Sequence, residues 1–73
     1  MNLFNLLEVV DYEQKVKIIM ESNGIIEAEV IGDQASIMKM LSSKILEQTV
    51  TCIAPREEKV LYIWLEEKKD ENV

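Results

Sequence analysis

Val60-Leu61-Tyr62-Ile63-Trp64-Leu65 is a six-residue run with no polar face. A strand sends alternate side chains to opposite faces, so this run needs apolar cover on both. A chain of 73 residues has few elements left to supply it. The surplus predicts a surface that meets another protein, most simply a second copy of the chain.

Working outward, Thr49 to Ala54 alternates, with Val50, Cys52 and Ala54 against Thr49, Thr51 and Ile53. Pro55-Arg56-Glu57-Glu58 reads as a turn, and a four-residue loop pairs Cys52 with Leu61 and Val50 with Ile63. The opposite face then carries Ile53, Val60, Tyr62 and Trp64, fringed by Thr49 and Thr51, and these four are the candidate interface residues. Glu66 to Val73 is a charged tail expected to fray, leaving 1–65 as one domain.

Upstream, Asp33 is a fit N-cap for one long helix from Gln34 to Glu47. Its apolar stripe is Ile37, Leu41 and Ile45, with Met38, Met40 and Leu46 beside it, while Ser42 and Ser43 face water. Lys15 to Met20 and Ile25 to Ile31 alternate as strands. A two-residue loop would set apolar residues against polar ones. A three-residue loop, Ser22-Asn23-Gly24, pairs Met20 with Ile26, Ile18 with Ala28 and Val16 with Val30, and sets Lys17 opposite Glu29. Asn2 caps a short helix to Val10 whose stripe is Leu3, Leu6, Leu7 and Val10. The order is α-β-β-α-β-β. It predicts an α+β domain with a four-stranded antiparallel sheet, one long helix and one short N-terminal helix.

Tyr62 and Trp64 each bury roughly 150–250 Å² when covered, worth roughly 8–12 kcal/mol together as an upper bound. Even half of that rivals the stability of a small domain. Three coverings compete: the N-terminal helix, a symmetric partner, or a different protein or ligand.

Composition bounds the function. So short a chain buries only about 60% of its unfolded surface and usually needs a disulfide, a metal or a partner. One cysteine excludes an internal disulfide, and no histidine leaves no tetrahedral zinc set. Oligomerisation, most simply a dimer, is the expected addition. Eight basic residues scattered among fourteen acids give a net charge of −6, which disfavours direct nucleic-acid binding. The same charge is compatible with a basic partner, or simply with solubility. No apolar run approaches the ~20 residues that span a bilayer, and the start lacks the basic residues and cleavage site of a secretory signal. A cytoplasmic protein is expected.

Catalytic signatures are weak. Cys52 reads as an inert thiol on the inner face, with no histidine to serve as its base. The pairs Glu57-Glu58, Glu66-Glu67 and Asp70-Glu71 read as solvated turns and tail, and Glu27 and Glu29 as partners of Lys15 and Lys17. Gly24 and Gly32 belong to no phosphate-cradling loop. No cofactor, metal or catalytic residue is expected, and an enzyme is the least supported class.

Leu6-Leu7-Glu8-Val9-Val10-Asp11, then Val16-Lys17-Ile18-Ile19 and the second apolar hairpin, resembles a loose group of small uncharacterised proteins of phages and mobile elements of Firmicutes. The resemblance lies in apolar spacing, and no functional residue carries over. It implies a protein that binds a host or phage protein, in some cases inhibiting host defence or sequestering its signals. The leading expectation is a non-enzymatic interaction module that self-associates and regulates or inhibits a partner. Alternatives are an acidic nucleic-acid mimic and a small-ligand binder with a pocket at a subunit junction.

Overall fold

The computed structural model describes residues 1–66. Of the expected tail, Glu66–Val73, the first residue instead ends a strand as the last residue of Val60–Glu66, and 67–73 lie outside the described residues. The elements are α1 (Leu3–Glu8), β1 (Lys15–Ser22), β2 (Ile25–Asp33), α2 (Gln34–Met40), α3 (Ser43–Leu46), β3 (Thr49–Glu57) and β4 (Val60–Glu66). The α+β class and the alternation of helix and hairpin are as the sequence predicts.

The sheet order is β2-β1-β4-β3, with two antiparallel hairpins joined by a parallel β1/β4 pair. The expected all-antiparallel sheet is therefore corrected. The reason lies in the connection: α2 and α3 carry the chain from edge strand β2 to edge strand β3, so the edges run the same way and the inner strands must be parallel. Parallel neighbours require such a crossover. The most apolar strands, β1 and β4, take the inner positions, where burial is greatest.

One face of the sheet carries all the helices. Leu3, Leu6 and Leu7 of α1 and Ile37 of α2 pack with Val16 and Ile18 of β1 and Ile63 and Leu65 of β4. Asn2 caps α1 by accepting the Asn5 N–H at 2.8 Å, and Asp33 caps α2 by accepting that of Ser36 at 2.8 Å. The long helix is in fact two short ones. Leu41 is extended (φ −81, ψ 142), and Ser42 restarts the helix by accepting the Ile45 N–H. A serine hydroxyl competes for backbone groups inside a helix and serves better at its start. Ile37, Leu41 and Ile45 still face the core, while Met40 is exposed.

Both hairpins turn more tightly than expected. Asn23 (φ 53) and Gly24 (φ 79) form a two-residue turn between paired Ser22 and Ile25. The mismatch that argued against this turn is absorbed by a β-bulge at Glu27, between the pairs Met20–Ala28 and Glu21–Ile26. The register beyond it pairs Ile18 with Val30 and Val16 with Gly32, two residues from the expected one, so the faces are unchanged. Lys17 lies opposite Ile31 and reaches Glu29 diagonally, at 3.6 Å.

In the second hairpin, Glu57 pairs with Val60 around Glu58-Lys59, and Lys59 has φ 64. Left-handed backbone costs a residue with a side chain about 1–2 kcal/mol, part of which glycine returns as chain entropy. Lys59→Gly is expected to stabilise the protein by about 0.5–1 kcal/mol in urea denaturation.

The Asp33 cap gives stability a pH dependence. Hydrogen bonds from Ser36, with help from Lys15 and Lys39, hold its carboxyl below the ordinary 3.8. A folded-state value below the unfolded one contributes stability above the unfolded value, and this is lost as pH falls through the folded value. Asp33→Ala should lower the melting temperature at neutral pH, and its difference from the natural protein should shrink below about pH 4.

Candidate functional site

The sheet face opposite the helices is open among the described residues. Alternation and register place Glu29 and Ile31 of β2, Lys17 and Ile19 of β1, Val60, Tyr62 and Trp64 of β4, and Cys52 and Ala54 of β3 on it. α1 packs on the other face, so it does not cover the aromatic rings.

Partial cover comes from neighbours within the sheet. Tyr62 and Trp64 are half-buried, with ring centroids 5.8 Å apart and planes tilted by 44°. Lys17 Nζ stands 5.0 Å from the Tyr62 ring centre, and the Arg56 guanidinium 5.3 Å from that of Trp64. Such contacts are worth about 0.5–1 kcal/mol each at exposed sites, while the long stems shield apolar surface. Ile19, opposite Trp64, is only 3% exposed. The Tyr62 hydroxyl donates to Glu57 Oε1, and that bond to a carboxylate raises the phenol above its ordinary 10.0. The result is an apolar centre bordered by Lys17, Arg56, Glu29 and Glu57.

Of the expected interface residues, Val60, Tyr62 and Trp64 share this face and Ile53 does not. The bulge between Val50 and Cys52 shifts the phase of β3, so Ile53 lies opposite Ile63 on the helix side. Cys52 and Ala54, expected on the inner side, lie opposite Trp64 and Tyr62 instead. Cys52 is exposed, as a free thiol. Ile19, Ile31 and Arg56 belong to the face and were not singled out from the sequence. Alternation in β1 marks Ile19, whereas nothing in the sequence marks the bulges that align β3.

Elsewhere, a cleft of about 550 Å³ lies where the loop at Asp11–Lys15 meets the turn at Glu58–Val60. Gln14 ties these segments by donating to the Lys15 and Lys59 carbonyls at 2.9 Å each. The charged lining of this cleft is Asp11, Glu13, Lys15, Glu58 and Lys59. Among the described residues, no group of three metal-ligating side chains converges, and no helix is long and apolar enough to cross a membrane. No family model, curated protein or solved structure matches the chain.

Proposed function

We propose that this protein is a non-enzymatic interaction module that self-associates through its open sheet face, and that the assembled form binds and regulates or inhibits a partner protein. One observation carries the reading. Tyr62 and Trp64 stand side by side on a face that no helix covers among the described residues. Trp and Tyr are the residues that dominate binding energy when a partner buries them.

Size and charge favour a second copy as the occupant. Four strands about 4.8 Å apart, paired over about 23 Å, give a flat footprint of about 450 Å² per copy, and side-chain relief enlarges it. Two copies then bury about 900 Å² before that relief is counted, below the ~1,200 Å² at which standard specific interfaces begin, which suits a weak dimer in the micromolar range. Lys17 and Arg56 share the border with Glu29 and Glu57, so a twofold axis can set each sign against the other. The phage or mobile-element setting implied by the pattern resemblance belongs to the same proposal.

Cys52 is a reporter built into this face. Alkylation of its thiol should be fast in dilute solution and slow in concentrated solution. Alkylation at one rate across that range, with the fold intact by circular dichroism, would count against docking here.

A further inference from the structure

The two edges of the sheet are finished differently. β3 contains Pro55 and two bulges, and the N-terminus occupies its start: the Val50 N–H donates to the Met1 carbonyl at 2.9 Å, and Asn2 bridges Thr49. Each of these devices blocks an incoming strand. β2 has one bulge and no proline over nine residues, and among the described residues no segment pairs with its outer side. Ile25, Ile26 and Ile31 along it are 67%, 52% and 56% exposed.

Charge selects the occupant. The ionisable residues of β2 are Glu27, Glu29 and Asp33, all acidic. Pairing β2 with the β2 of a second copy about a twofold axis sets acid against acid. Centred on Glu29 it opposes Glu29 to Glu29, centred on Val30 it opposes Glu27 to Asp33, and centred on Ile31 it opposes Glu29 to Asp33. Like charges directly opposite destabilise a strand pair, so this edge rejects its own copy and favours the other sign. The inner neighbour shows what fits. β1 begins Lys-Val-Lys-Ile, setting Lys15 opposite Asp33 and Lys17 within 3.6 Å of Glu29.

We propose that the β2 edge binds an extended basic segment of another protein as a fifth, antiparallel strand, with lysine or arginine at alternate positions facing Glu27, Glu29 and Asp33. Backbone hydrogen bonds supply the affinity and the alternating charges the specificity. This site is the outer edge of the sheet, which borders the Tyr62/Trp64 face at Glu29 and Ile31, and it does not depend on self-association.

The test is amide NMR on the full chain with two short capped peptides, one alternating lysine with valine and one alternating glutamate with valine. The lysine peptide should shift amides of Ile25–Asp33 and bind about tenfold more tightly than the glutamate peptide. Glu27→Lys with Glu29→Lys should reverse the preference, and Glu27→Lys alone, which leaves the Lys17 pair in place, should reduce it. Equal binding of the two peptides, or no binding, would overturn the proposal. So would lysine-peptide shifts centred on Tyr62 and Trp64.

Discussion

Ile63→Ala is expected to leave most of the chain unfolded near physiological temperature. Ile63 is fully buried on the inner strand β4, packed with Leu3, Leu7, Ile18 and Ile37 where helices and sheet meet. Truncating such an isoleucine costs about 2–5 kcal/mol, part transfer and part cavity. A core of this size rarely supplies more than about 3–5 kcal/mol in total. Ile53→Ala, on the same face but at the edge and 44% exposed, should cost less than about 1 kcal/mol. Urea denaturation followed by circular dichroism measures both. A loss below about 1 kcal/mol for Ile63 would contradict the packing described, because the site would then have to collapse around the missing atoms.

The contrast between Ile53 and Ile63 shows where the sequence was legible. Alternation identified the first three strands and the two-sided apolar run the fourth, and the caps Asn2 and Asp33 were readable because a short polar side chain before an apolar stripe has one good use. Register was not readable. Each hairpin combines a two-residue turn with bulges, and a bulge leaves no mark in an alternation pattern that already tolerates one error. That is why Cys52 and Ile53 exchange faces while Val60, Tyr62 and Trp64, on an unbulged strand, lie where expected. Strand direction was hidden too. Nothing local distinguishes two hairpins lying antiparallel from two joined through a parallel inner pair, because that choice belongs to the path of α2 and α3 across the sheet. The break at Leu41-Ser42 did have a signal, in the two consecutive serines, which read equally well as a solvated flank.

Trp64→Ala should weaken self-association by about 2 kcal/mol, roughly thirtyfold in Kd, the scale of an aromatic hot spot at the centre of an interface. Trp64 lies beside Tyr62, Ile19 and Cys52, so removing it takes away the largest ring of the face and the platform on which Arg56 rests. Arg56→Ala keeps the indole and removes the cation above it. Its effect should be smaller, and it should grow at low ionic strength, where charged borders contribute most. Some loss of folding stability is also expected for Trp64→Ala, since the indole is half-buried. Circular dichroism at matched concentration separates the two effects. A folded Trp64→Ala variant that associates as well as the natural protein would move the interface away from this face.

The most direct measurement is sedimentation equilibrium of the natural chain over rising concentration. The monomer mass is 8.4 kDa. Docking through the open sheet face predicts an average mass that climbs toward twice that value through the micromolar range, with the climb displaced to higher concentration in the Trp64→Ala variant. A mass fixed at the monomer value throughout would contradict it.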